Sequence, residues 1–221
     1  MEDGKVMINV LYEDNHLLVV EKPVNILVQA DDTNDMDLLT MLKDYLKKKY
    51  NKPGNVYLGL VHRLDRPVGG VMVFAKTSKC ASRLSEQVRT HKLKKIYHAV
   101  VCGNTKASDE LVDKLLKNEK TNIVSVNPAG KEAKLYYEKI DYKDNLSLVK
   151  IWLETGRSHQ IRVQFSSRNY PLYGDQRYNK QAVVGQQIAL FASSLTFYHP
   201  VTNEEMTFTL SLPNSYPWNL F

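Results

Sequence analysis

The chain has only two cysteines, Cys80 and Cys102, in 221 residues. Neither belongs to a metal-spaced cluster and a disulfide scaffold needs more, so no structural metal is expected and a reducing cytoplasm is. No apolar run approaches the ~20 residues of a membrane span, and the start, Met1-Glu2-Asp3-Gly4-Lys5, lacks the basic head and apolar core of a secretory signal. No membrane partner is expected. There is also no internal repeat and no low-complexity tract. Acidic residues are in the minority, 24 against 30 Lys and Arg, leaving a net charge of +6 and a pI near 9.1. That bias favours a polyanionic partner, more so because Lys and Arg are interleaved with aromatics in Lys94-Lys95-Ile96-Tyr97 and Arg168-Asn169-Tyr170, a mixture suited to phosphates and unstacked bases. With 43% hydrophobic residues the length supports a sizeable core, and no shift in composition divides it. One domain over residues 1–221 is the expectation.

The local patterns alternate between strands and helices. Met7 to Leu11 and His16 to Glu21 predict a hairpin turning at Glu13-Asp14-Asn15, and Met36 to Tyr50 predicts a helix with its apolar stripe at Leu38, Leu39, Leu42, Tyr45 and Leu46. Val56 to Val61 and Val71 to Ala75 read as covered strands. Ser78 is the expected N-cap of a helix reaching about Thr90, and Leu93 to Val101 returns as a strand. In Ala107 to Lys120 the spacing of Leu111, Val112, Leu115 and Leu116 is read as helical. Glu132 to Tyr142 and Leu146 to Leu153 form a second hairpin, a helix runs from Ser158 to about Arg168, and Ile188 to Phe197 and Met206 to Leu212 complete the strands. Short turns between strands make the pairs antiparallel, so the fold class is α+β: a mixed, largely antiparallel sheet with flanking helices.

Two clusters stand out as places for chemistry. In "VHRLDRPVGG" one carboxylate, Asp65, sits between two arginines at the junction of two apolar runs, where Pro67 and Gly69-Gly70 argue against an unbroken ladder. In "LETGRSHQIRVQF" Gly156 precedes a helix start whose N–H groups favour anions, and His159 and Arg162 share a face of that helix. If Arg162 is buried it needs a partner, and Asp65 is a sensible one. An Arg-Asp pair alone is equally consistent with a structural salt bridge.

These clusters, with "VLYEDNHLLVVEKP", "HRLDRPVGGVMVFAKT", "KKIYHAVVCG", "LETGRSHQIRVQFSSRNYPLYGDQRY" and "LTFYHPVTNEEMTFTLSLP", follow one another from Val10 to Pro213. In that order they resemble the RluA-type family of RNA pseudouridine synthases. The resemblance implies a catalytic domain of that fold, with no room before it for the small RNA-binding domain that some relatives carry. It implies isomerisation of a uridine in ribosomal or transfer RNA, with no cofactor and no metal. Asp65 would act at C1′, Arg162 would be its ion-pair partner, and Tyr97 would line the base and take the proton from C5. Arg63, two residues before Asp65, would help displace the target nucleotide from its stack. His62 and Arg66 point the other way in an extended segment and suit packing or phosphate contacts. Lys95, Arg157 and His159 are further RNA contacts, and a monomer is expected. The chain departs from the family's habit at Val68-Gly69-Gly70, Gln164 and Phe191. Two alternatives stay open: an RNA-binding protein of the same fold without isomerase activity, and a nucleoside-cleaving glycosidase, for which Glu154 is the motif-adjacent second carboxylate.

Overall fold

The structure, a computed structural model, describes residues 8–31 and 35–221. These fall into two compact units: one runs to Leu93 and takes in Ser194–Leu210, the other is Lys94–Ser193 with Ser211–Phe221. The class is α+β, as expected.

The first unit opens with the hairpin of β1 (Asn9–Glu13) and β2 (Leu17–Lys22). Met7, read as the start of that hairpin, lies outside the described residues. Asp14 sets the turn, its carboxylate accepting both the His16 and Leu17 N–H groups at 2.7 Å. Helix α1 (Leu38–Lys49) buries Leu38, Leu42 and Leu46, one residue per turn. Asp37 caps its start and Lys47, Lys48 and Lys49 offset the negative end of its dipole. The strand expected over Val56 to Val61 is only β3 (Gly59–Leu60). It pairs with the wholly buried β4 (Gly69–Ala75), which β2 flanks on its other side. Helix α2 (Ser78–Arg89) is capped by Thr77, whose hydroxyl accepts the Cys80 N–H, so the expected Ser78 cap is one residue late. Leu17, Val19, Val71 and Val73 from the strands, Cys80 and Leu84 from α2, and Leu195 and Phe197 form the core.

The second unit is a run of antiparallel neighbours, β5 (Lys94–Cys102), β9 (Leu146–Leu153), β8 (Lys131–Lys143), β6 (Ser108–Asn118) and β7 (Ile123–Val126). The β8–β9 turn is Asp144-Asn145 with both φ angles positive, 52° and 58°, the geometry that matches strand twist. The segment Ala107 to Lys120 corrects the helical reading, because β6 occupies it. Leu111 and Leu115 are buried while Val112 and Leu116 are about half exposed. A spacing of four fits one face of a strand as well as one face of a helix, and the decisive alternation lies in the polar residues between. Helix α3 (Gln160–Ser166) lies against this sheet, with Val163 among Leu115, Val124 and Ala133 and the Phe165 ring tilted against that of Tyr137, centroids 5.0 Å apart. Strand β10 (Leu190–Tyr198) begins in this unit and continues into the first, where its Ser194–Tyr198 part pairs with β11 (Glu205–Thr209). Among the described residues no helix is long and apolar enough to cross a membrane.

Candidate active site

In the first unit the segment after β3 belongs to no strand, and burial alternates along it. His62 and Leu64 are buried, Arg63 is exposed and Asp65 is half-buried, so Arg63 and Asp65 share one side as expected. His62 turns inward, and its Nε2 accepts the Val73 N–H at 3.1 Å. Because β3 ends at Leu60, opposite Phe74, this ring replaces the strand that would otherwise have received that donor. In the neutral imidazole the proton then sits on Nδ1. Of the two roles open to His62, this is the packing one.

Asp65 begins a tight turn, closed by the Val68 N–H donating to its carbonyl at 3.0 Å. Beneath the turn lies Lys22, fully covered at 0% exposure. Its Nζ donates to the carbonyls of Pro23, Arg66 and Val68 at 2.9, 3.0 and 2.8 Å. Burial lowers the Lys22 pKa to about 7; the Asp65 carboxylate opposes that shift and Arg66 adds to it. The exposed side chain of Arg66 braces the turn from outside, 2.8 Å from the Asp35 carboxylate and bonded to the Asn25 carbonyl. Gly70, where β4 pairs with Lys22, has φ of 131°, which a side chain would strain.

The second unit presents Tyr97 from the middle of β5, buried at 6% exposure and in register with Ile151. Lys95 lies two residues earlier on the same side of the strand. Burial lowers its pKa to about 8, and its Nζ lies 3.7 Å from where a side chain on Gly156 would begin. Two of the expected RNA contacts, Lys95 and the Gly156-Arg157 loop, are thus neighbours. Helix α3 begins at Gln160, two residues later than expected, after His159 in a left-handed conformation with φ of 51°. The Gln160 side chain fills the loop, accepting from the Arg157 N–H and the Thr155 hydroxyl, while the exposed Arg157 bonds the Glu132 carbonyl through Nε.

Arg162 is buried, as its place in the motif suggested, but the partner its own unit supplies is Asp175. The pair is bidentate, Nε and Nη2 donating to the two carboxylate oxygens at 2.9 and 2.7 Å. Asp175, 1% exposed, also accepts the Arg177 and Tyr178 N–H groups. Tyr178 completes the group: its ring lies 5.2 Å from the Arg162 guanidinium and its hydroxyl 2.7 Å from His159 Nδ1. So His159 and Arg162, read as sharing a face, do meet on one ring. Burial raises the Tyr178 pKa.

Lys22, Asp175 and Tyr178 were missed by sequence reasoning, and each had a signal. Glu21 faces out at the end of an apolar strand, so Lys22 must face in. A buried arginine demands an acid, and Asp175 stands in the same motif block as Arg162. The departures have local explanations too. Val68 contributes its backbone, donating to Asp65 and accepting from Lys22. Gln164, fully buried, bonds the Leu111 and Ala133 carbonyls and the Asp113 carboxylate, tying α3 to β6 and β8. Phe191 is buried in β10.

Residues 16–167 match the family of RNA pseudouridylate synthases. The chain is 32% identical over 225 residues to ribosomal large subunit pseudouridine synthase D of Yersinia pestis, covering 95% of this chain and 68% of that protein. Its counterpart from Zymomonas mobilis is 33% identical, with 96% and 71% covered. Among solved structures, human RNA pseudouridylate synthase domain containing 4 superposes with a TM-score of 0.78 over 93% of this chain and 88% of that one, at 22% identity, a likeness of fold.

Proposed function

The chain belongs to the RNA pseudouridylate synthase family, and from that premise we propose that it converts a uridine of ribosomal or transfer RNA to pseudouridine with Asp65 acting at C1′. The reaction breaks the N1–C1′ bond, turns the uracil and forms a C5–C1′ bond; C5 loses a proton and N1 regains one. Nothing is oxidised or reduced. The observation that carries the assignment is the placement of Asp65: half-buried, beside exposed Arg63, on a turn anchored from below. A carboxylate there meets the need for an ionised group at the sugar, whether it adds to C1′ or abstracts a sugar proton.

In this reading Arg63 displaces the target nucleotide, which costs only a few kcal/mol. Arg162 orients Asp65 and Tyr97 takes the C5 proton. A phenol is a weak base, so that step needs activation or a relay. Lys95, Arg157, His159 and Arg66 serve the RNA backbone, with His62 supporting from within. Both units make up one catalytic domain, working as a monomer in the cytoplasm without metal or cofactor. The names of the relatives favour large-subunit ribosomal RNA. The test is a map of pseudouridine across cellular RNA with and without the protein, repeated with purified protein on the RNA identified. One or a few sites that vanish without the protein and return with it support the reading. An unchanged map, or release of free uracil in place of pseudouridine, refutes it.

A further inference from the structure

The net charge of +6 is not spread evenly. From Lys43 to Lys52 the second half of α1 and the turn after it carry five lysines against one acid, Asp44. Lys76, just past the end of β4, joins them: its Nζ lies 4.8 Å from the centre of the Tyr50 ring, which Lys49 and Lys52 approach at 5.7 and 5.9 Å. The acid beneath is Glu13, whose side chain is 6% exposed and takes Lys49, Lys76, Tyr45 and Tyr50 on its two oxygens. Its charge is covered, while Lys47, Lys48 and Lys52 are exposed and meet no acid among the described residues. Compensation of the helix dipole does not account for the cluster. The dipole amounts to about half an elementary charge and acts within the last turn, whereas Lys43, Lys52 and Lys76 lie outside that turn. Lys43 and Lys47, four apart on α1, also repel. A concentration of charge that works against the fold points to an anionic ligand.

Three elements of the first unit fix where the cluster sits. Strand β2 begins at Leu17, beside the turn that follows Glu13, and ends at Lys22, which is bonded to the Arg66 and Val68 carbonyls. Strand β4 begins at Gly69, directly after the Asp65–Val68 turn, and ends at Ala75, next to Lys76. Helix α1 starts three residues after Asp35, the partner of Arg66, and ends in the lysines. Seven residues of strand and twelve of helix each span about 20 Å. The cluster therefore lies at the far end of this unit from Asp65, joined to it by packed, regular elements. We propose that it is a second RNA-contact surface, which takes the phosphate backbone of the RNA flanking the target uridine, about six nucleotides from it at a rise of about 3.4 Å each. The inference rests on the reading of Asp65 as the residue that meets that uridine. RNA is the occupant favoured because a strand held at Asp65 already brings its phosphates within this reach, and ammonium groups around the half-exposed Tyr50 ring suit them.

Lys47→Gln, Lys48→Gln and Lys52→Gln combined keep helix propensity and leave the Glu13 group untouched. RNA affinity, its salt dependence, the single-turnover rate and the melting temperature are measured for the wild type, this triple variant and Asp65→Asn. Two RNAs centred on the mapped uridine serve as probes, one trimmed to about three nucleotides on either side and one reaching about ten. The triple variant should bind the longer RNA about tenfold more weakly, with a log-log salt slope shallower by about 2. It should bind the shorter RNA within about twofold of wild type, melt no lower, and turn over bound RNA at the wild-type rate. An unchanged affinity for the longer RNA, or an equal loss on both, overturns the surface. A lowered melting temperature makes these lysines structural and overturns it too. Turnover by Asp65→Asn overturns the reading of Asp65 and leaves the comparison of the two RNAs standing. If the map identifies no uridine, the functional reading fails and purified large-subunit ribosomal RNA becomes the probe: a shallower salt slope in the triple variant supports the surface, and a wild-type slope overturns it.

Discussion

The two units each place an aspartate beside a buried cation, and they do so in opposite ways. In the second unit the carboxylate of Asp175 is itself the anchor: both oxygens receive Arg162, one also receives two backbone N–H groups, and the residue is 1% exposed. In the first unit the anchor is Lys22, and it grips the carbonyls around the Asp65 turn while the Asp65 side chain remains half-buried. An acid saturated with donors and sealed from water stabilises a fold but has little capacity left for a substrate. An acid whose backbone is held by another residue can be placed with equal accuracy and still meet one. The contrast gives Asp175 a structural place and supports the chemistry proposed for Asp65.

The strongest way to break that contrast is to remove the saturated acid. Asp175→Ala leaves the Arg162 guanidinium buried without its bidentate partner, and should cost about 3 to 5 kcal/mol, a melting temperature lower by roughly 10 °C. A loss under about 1 kcal/mol would mean that Arg162 is held elsewhere. Glu13 extends the comparison as a second saturated acid. Burial raises its pKa, but hydrogen bonds from Lys49, Lys76, Tyr50 and Tyr45 outweigh that and lower it to about 2. Its folded pKa lies below its unfolded one, so its contribution is complete above about pH 4.3 and is lost as pH falls toward about 2. Melts across that range should show the slope, and Glu13→Gln should flatten it while costing about 1 to 3 kcal/mol at pH 7. The smallest effect separates the two helix starts. Thr77→Ala removes a true side-chain cap and should cost about 1 kcal/mol by thermal melt. His159→Ala removes no cap bond and should instead weaken RNA binding if its side of Tyr178 faces the substrate.

What could be read in advance follows a simple division. Elements with one buried face, such as β2 and the Leu38-Leu42-Leu46 stripe of α1, declare themselves through spacing. Strand β6 was misread because Leu111 and Leu115 satisfy two periods at once, and α3 starts late because Gln160 occupies the place where a free helix terminus was expected. Asp65, Tyr97 and Arg162 could be picked out by their motifs. Their supports carry weaker signals, an inward-facing lysine and an acid within the Arg162 block, because Lys22 and Asp175 work through contacts spanning 46 and 13 positions. The partner a buried Arg162 needs was sought at Asp65, and the acid its own unit supplies is Asp175.

The most direct test is therefore Asp65→Asn and Asp175→Asn side by side, scored for turnover, RNA affinity and melting temperature. Asp65→Asn should stay folded within about 1 kcal/mol of wild type, bind RNA, and form no detectable pseudouridine. Asp175→Asn should lose stability first and, in whatever fraction remains folded and bound, still turn over. Substantial isomerisation by a folded, RNA-bound Asp65→Asn protein would contradict the account at its centre.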